Sequence, residues 1–413
     1  MYDRVNVDSS INVTGSRQPW LSAADASRLL GVTRATLYAY VSRGYVRSQA
    51  APGSPRERTH ARDDLERLRR RAEERRAPDK AAARALQWGM PILESSIAFI
   101  DGRRLWYRGH DAARLARSRP LEDVAALLWN GTLDNLGPAP PVEPMTPAPA
   151  KLSFISRAQS LLAGAAARDP VALDLRRPAV VLTGRRILGL LTVAATAGHA
   201  VHGPVDERLA RHWKIGSKGR DVIRAALVLC ADHELNVSSF TARCVASAGS
   251  HPYAVVIAGL AALEGPKHGG ASARVEAMME SIARTGAVGG ALTARRARGE
   301  SIEGFGHPLY PGGDPRARVL LDLLRERYPR SPEYRFVTDL ARAATRTTGE
   351  HPNVDFGLAA VGRVLKLPPG SPLVLFALGR SVGWIGHAIE QYATGQLIRP
   401  RAKYVGVPPL ATE

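Results

Sequence analysis

Apolar positions recur at helical spacing over most of the chain. Leu121, Val124, Leu127 and Leu128 fall at i, i+3, i+6 and i+7, the stripe of a helix with one buried face. Residues 254–263 are almost wholly apolar and predict a helix buried on every side. Ser371-Pro372 reads as an N-cap followed by proline at the first helical position. The helix it opens should run to about Ala393 and stop at Gly395. Strand alternation is scarce, although residues 96–106 suit a small hairpin turning at Asp101-Gly102. The expected fold class is mainly α.

Four zones follow from these patterns. Residues 1–19 form a polar tail, expected to be disordered, and residues 20–77 are compact and arginine-rich. Residues 78–85 read as a linker, and residues 86–413 carry the long helical segment. Six prolines between 138 and 149 make residues 137–150 a loop, since proline suits neither helix interiors nor sheet ladders. The N-terminus lacks the apolar core of a signal peptide. The longest uncharged stretch, residues 187–205, contains His199, His202 and Pro204 and reads as a buried helix plus a loop. No membrane role is expected. Cys230 and Cys244 are the only cysteines, too few for a disulfide scaffold, and suit free thiols in a cytoplasmic protein.

Charge adds a question about partners. The chain has 57 basic and 38 acidic residues, a net of +19. That excess suits nucleic acid or an anionic metabolite, or it reflects an arginine-rich composition. The first 84 residues hold 17 basic and 10 acidic residues, so most of the excess lies further on.

Within residues 20–77, one helix is expected over 23–30, a tight turn at Gly31, and a second helix capped by Thr33 and ending near Gly44. Leu29, Leu30, Val32, Leu37 and Val41 would share a small core. Arg34, Thr36, Tyr38, Ser42 and Arg43 would face outward. Arg47, Arg56, Arg58 and Arg62 follow in a loop that could act as a wing, and a third helix is expected over 62–76. This segment resembles a winged helix-turn-helix of the MerR/excisionase type. The resemblance implies DNA binding, with Arg34, Thr36, Tyr38, Arg43 and Arg47 as candidate contacts. A docking or oligomer-holding module is the alternative.

The long segment lacks GxxxxGK[ST], GxGxxG and HExxH. It carries instead YRGHD at 107–111, ADHELN at 231–236, GPKHGGA at 265–271 and GFGHPLYPGGDPRA at 304–317. NVDF at 353–356, GRSVGWIGHAIEQ at 379–391 and LIRPRAKYVG at 397–406 complete the set. In this order the clusters resemble the citrate synthase family, over about residues 86–406. The resemblance implies an all-α enzyme with a large lobe and a small lobe, the small one over roughly residues 268–366. It implies condensation of acetyl-CoA with oxaloacetate and water to give citrate and CoA. A 2-methylcitrate synthase using propionyl-CoA is the near alternative, and a DNA-binding regulator that senses these metabolites is the distant one.

By the same resemblance Asp355 is the base, His268 stabilises the enol or enolate, and His307 polarises the ketone. His233, Arg316, Arg380 and Arg399 would bind oxaloacetate, with Arg399 reaching the partner's site in a homodimer. Gly304, Phe305 and Gly306 would pack on the adenine of CoA. Metal and resident cofactor are not expected; the CoA thioester is substrate. The residue types suit the task, because a weak carbon acid needs a positioned carboxylate and a polarised carbonyl, and a dianion needs fixed guanidinium groups. Plainer roles are open to several of these residues. Asp355 could cap a helix, and Arg380 and Arg399 could be ion-pair partners. His110, His251 and His387 could be structural or surface residues, and Trp384 core. Pro308, next to His307, departs from the arginine common in the family, and Cys230 from a histidine in some members.

Overall fold

A computed structural model describes residues 19–51, 54–76, 93–134, 136, 152–196 and 203–407. Residues 1–18, the linker at 78–85, the proline-rich stretch 137–150, His199 and His202 lie outside the described residues. The chain divides into two compact units, up to Glu94 and from Ser95 onward.

In the first unit, helices Ala23–Leu30 and Arg34–Ser42 are joined through Gly31, which is left-handed at φ +64°. Ser22 and Thr33 cap them, each accepting a backbone N–H three residues on. Leu37 is fully buried with Ala26, Val46 and Leu65; Leu29, Leu30, Val32 and Val41 pack around them. The expected loop is in fact a sheet. Strand Ser54–Ala61 pairs antiparallel with both Trp20–Ser22 and Ser48–Ala51. Helix Arg62–Arg76 follows, and its Asp64 is buried.

The second unit is a stack of helices around one core. A small antiparallel hairpin, Ala98–Ile100 with Leu105–Tyr107, turns at Asp101-Gly102, as the sequence suggests. Asp101 Oδ1 accepts the N–H groups of Arg103 and Arg104 at 2.9 and 2.8 Å and so pins the turn. A third strand, His110–Asp111, completes the sheet.

Helix Ser371–Thr394 is the axis of this unit, with all but a few of its side chains buried. Gly370, at φ +83°, takes the cap position expected of Ser371. The Ser371 hydroxyl donates instead to the Pro368 carbonyl at 2.5 Å. Gly379 and Gly383, one turn apart, let the end of helix Ser217–Leu229 and the segment after it lie directly on this helix. A Cβ at Gly379 would strike Leu227 O, and one at Gly383 would strike Ala231 O and Asp232. Trp384 is fully buried against Gly259 of helix Pro252–Glu264 and is core.

Helix Pro252–Glu264 is not buried all round, contrary to the sequence reading. Val255, Val256, Gly259, Leu260 and Leu263 face the core, whereas Ala261 is exposed and Ile257 half-buried. Small apolar residues raise mean hydropathy without deciding which face is covered. Helices Arg177–Ala195 and Ser371–Thr394 are long and apolar enough to cross a membrane, but 67% and 94% of their apolar windows are buried inside the protein.

Candidate active site

Asp355 stands in the first turn of helix Val354–Val364. It is not the cap: Asn353 accepts the N–H groups of Asp355 and Phe356, which leaves the Asp355 carboxylate to other partners. Ser272, on helix Gly270–Thr285, donates its hydroxyl to Asp355 Oδ1 at 2.6 Å. Burial raises the Asp355 pKa, and it outweighs the Ser272 hydrogen bond and the field of Arg316, which act the other way. A carboxylate so placed is a stronger base than one in water.

His268 precedes the helix that carries Ser272. Its Nε2 lies 2.9 Å from Ser238 Oγ, which is 2.8 Å from Asn236 Oδ1. Burial, then the charge of Arg380, push the His268 pKa down to about 4. His307 is also pushed down to about 4, by burial and then by Arg316. The Leu309 N–H donates to His307 Nδ1 at 3.2 Å, so the proton of the neutral ring sits on Nε2. His233 is buried, with its pKa well below the ordinary value through burial and the fields of Arg316 and Arg380. At neutral pH all three rings are therefore neutral hydrogen-bonding groups.

These residues meet through aromatic contacts. The His233 and His307 rings lie 5.1 Å apart, edge to face, and Tyr310 packs against both. Tyr310 Oη is 3.1 Å from His233 Nε2. Arg316 lies 5.7 Å from the Tyr310 ring, and its Nε and Nη2 donate to Asp314 at 3.0 and 2.7 Å. Phe376 joins the other half: the His268 ring is 5.7 Å away and the Arg380 guanidinium 4.7 Å. Arg380 is buried, donates from Nε to Cys230 O at 2.8 Å, and has no hydrogen-bond partner at Nη2. A buried guanidinium with an orphaned donor is suited to an anion. The Cys230 thiol is pushed up to about 12 by burial and stays protonated.

The glycine turn sits beside the base. Gly304 and Gly306 are left-handed at φ +86° and +78°. The Asn353 N–H donates to Gly304 O at 2.9 Å, and the Gly306 N–H to His351 O at 2.8 Å. Phe305 packs edge-on to Phe356 with ring centres 5.0 Å apart.

Arg399 is exposed beyond the end of the last helix, outside this cluster. In the first unit, Arg34, Tyr38, Ser42 and Arg43 are exposed. Two DNA-contact candidates have other work. The Thr36 hydroxyl lies 3.0 Å from that of Thr33, at the helix cap. Arg47 donates from Nε and Nη2 to Asp64 at 2.9 and 3.2 Å. Sequence reading missed Ser238, Ser272, Tyr310, Asp314 and Phe376. All lie within the quoted motifs, within two residues of one, or on the same helix as Arg380.

Buried guanidinium groups, neutral imidazoles and one carboxylate of raised pKa define an acid–base enzyme for an anionic substrate. Residues 85–401 match the family model of the citrate synthase C-terminal domain. Citrate synthase 2 of Bacillus subtilis (strain 168) is 30% identical over 365 residues, 79% of this chain and 96% of that protein. Citrate synthase of Haloferax volcanii is 30% identical over 361 residues, 77% of this chain and 94% of that protein. The crystal structure of citrate synthase from Thermotoga maritima is 27% identical, covers 78% of this chain and 96% of its own, and superposes with a TM-score of 0.64. The chain belongs to the citrate synthase family. It is a transferase of the citrate synthase type.

Proposed function

We propose that the second unit condenses acetyl-CoA with oxaloacetate and water, giving citrate and CoA. The observation that carries this is Asp355: a carboxylate of raised pKa, not spent on capping and backed by Ser272. Asp355 takes a proton from the thioester methyl. One hydroxyl proton at Ser238 serves either Asn236 or His268. Given to His268 Nε2, it leaves that ring's own proton on Nδ1, which then donates to the thioester oxygen as charge develops there. His307 Nε2–H polarises the ketone, and the enol carbon attacks the ketone carbon. Water then cleaves the citryl thioester, releasing CoA as the thiol.

Arg316 and Arg380 hold the carboxylates of oxaloacetate, with His233. Gly304, Phe305 and Gly306 receive the adenine of CoA, and the small lobe, residues 268–366, closes over it. The reaction needs no metal or resident cofactor. Thiol release measured with oxaloacetate and a panel of acyl-CoA esters tests the assignment; release with none of them overturns it. Faster turnover of propionyl-CoA would make the chain a 2-methylcitrate synthase, since one methylene changes selectivity by only about 10–200-fold.

The same reading makes the chain a homodimer, with Arg399, exposed beyond the last helix, reaching the partner's site. Arg399→Ala and Asp355→Asn chains should each be inactive alone. Unfolded and refolded together, they should regain about a quarter of wild-type turnover, since hybrid dimers rebuild one of two sites. No recovery would show that Arg399 acts within its own subunit.

For the first unit we infer DNA binding through helix Arg34–Ser42 and the strand pair behind it. The exposure of Arg34, Tyr38 and Arg43 on this helix and at its end supports this. A gel shift on genomic fragments should show sequence-selective retardation that survives moderate salt. Binding lost by about 200 mM salt on every fragment equally would end the inference.

A further inference from the structure

Asp232 and His387 take no part in the chemistry proposed above, yet they lie directly behind it. Both side chains are fully buried, with His387 Nε2 3.1 Å from Asp232 Oδ1. The carboxylate oxygen accepts, so the imidazole proton is on Nε2. Nδ1, which has no partner, is then a bare lone pair and not a stranded N–H.

The second carboxylate oxygen does a different task. Asp232 Oδ2 accepts the Glu234 N–H at 3.1 Å. Glu234 stands at φ +52°, in the left-handed region that a glutamate occupies only when its surroundings hold it there. The residue between Asp232 and Glu234 is His233. The Asp232 backbone is held as well: Tyr107 Oη is 3.2 Å from its carbonyl oxygen and 3.3 Å from its nitrogen. The same hydroxyl reaches the carbonyls of Val228 and Leu229 at 3.0 and 3.3 Å.

From the other side comes helix Ser371–Thr394. Arg380, Gly383 and His387 project from one stripe of it, at i, i+3 and i+7. Gly383 makes room for Ala231 and Asp232, His387 bonds Asp232, and Arg380 bonds Cys230. Asp232 also acts on Arg380 through its charge, opposing the effect of burial.

We propose that Asp232 and His387 are positioning residues for the keto-acid site: the pair locks the turn that presents His233 and registers it against the helix that presents Arg380. The inference rests on the reading of His233 and Arg380 as oxaloacetate ligands. Neither residue touches substrate. A pair that served stability alone would affect both substrates equally, whereas the direct contacts of this pair lead to the turn of His233 and the helix of Arg380.

The test is steady-state thiol release by the full chain, with each substrate varied in turn. Asp232→Asn removes the charge and sets an amide where two donors converge. It should raise the oxaloacetate KM about tenfold or more, with the acetyl-CoA KM within about twofold. His387→Phe should do the same. His387→Gln, whose amide N–H can reach Asp232 Oδ1, should recover most of the loss. Circular dichroism and a thermal melt confirm folding, and if Asp232→Asn does not fold, the two His387 variants decide. An unchanged oxaloacetate KM in folded variants, or equal rises for both substrates, overturns the proposal. If the wild-type chain turns over no acyl-CoA, the activity reading fails by itself, and calorimetric binding of oxaloacetate carries the comparison. A tenfold weaker Kd in the variants then upholds the positioning role, and an unchanged Kd ends it. A wild-type chain that binds no oxaloacetate overturns both.

Discussion

Asp355→Asn should lower kcat for thiol release by about 10³-fold, the scale of a lost general base. The amide keeps the size of the side chain and still meets the Ser272 hydroxyl, so the fold should survive. The variant should in fact melt no lower than wild type at neutral pH. Burial raises the Asp355 pKa, so the folded state holds this proton more tightly than the unfolded chain does. Stability from that group is complete at low pH and is lost as pH rises through the folded pKa. Asparagine carries no charge to ionise and escapes that loss. Activity runs the opposite way, since the base must be ionised: wild-type kcat should fall as pH drops through the raised pKa. A thiol-release assay and a thermal melt on the same preparation check both halves. Turnover within tenfold of wild type would remove Asp355 from the role of base, and a clearly lower Tm would show that it serves the fold.

Arg380→Met should raise the oxaloacetate KM by about 10²-fold or more, the scale of truncating one member of a buried, hydrogen-bonded charge pair. Methionine is an unbranched side chain that fills part of the same buried space without charge, and replacing a buried ion by an apolar side chain is often tolerated. The acetyl-CoA KM should move little. Arg380→Lys should not rescue the site. A guanidinium donates to the Cys230 carbonyl from Nε and still presents Nη2 to a ligand, whereas an ammonium on a flexible stem has no such fork. Substrate-saturation curves for the two variants settle the matter. An oxaloacetate KM within threefold of wild type in Arg380→Met would make the guanidinium a structural bridge.

The helical character was legible in the sequence because it is local, and the catalytic candidates because their motifs, in order, resemble those of a family. The stop at Gly395, the turn at Gly31 and the cap at Thr33 follow from rules about neighbours a few residues apart. The first unit's sheet was not legible. Strand Trp20–Ser22 pairs with residues about forty positions away, and arginine-rich strands show no apolar alternation. One cap went to a neighbour of the expected residue: Gly370 displaced Ser371 by adopting a backbone angle that serine disfavours. Asn353 caps helix Val354–Val364 and leaves Asp355 out of that plainer role. Motif reading picked out the candidate groups and missed the side chains that hold them. Ser272 and Ser238 carry no signal of their own, since serines are common on helices. Their meaning comes only from lying 2.6 Å from Asp355 and 2.9 Å from His268. His387 looked like a structural histidine and is one, but the structure it supports is the turn at His233.

The glycine turn at Gly304–Gly306 and the base are mechanically one piece. Backbone hydrogen bonds tie Gly304 to Asn353 and Gly306 to His351, and Phe305 bears on Phe356, the neighbour of Asp355. In the proposed reading, the nucleotide end of CoA presses on the very strut that aims the carboxylate at the other end. A ligand handle far from the reacting methyl then acts as a lever on it. Short thioesters that lack the nucleotide would forfeit rate as well as affinity, because the push that seats the carboxylate comes from the part they lack.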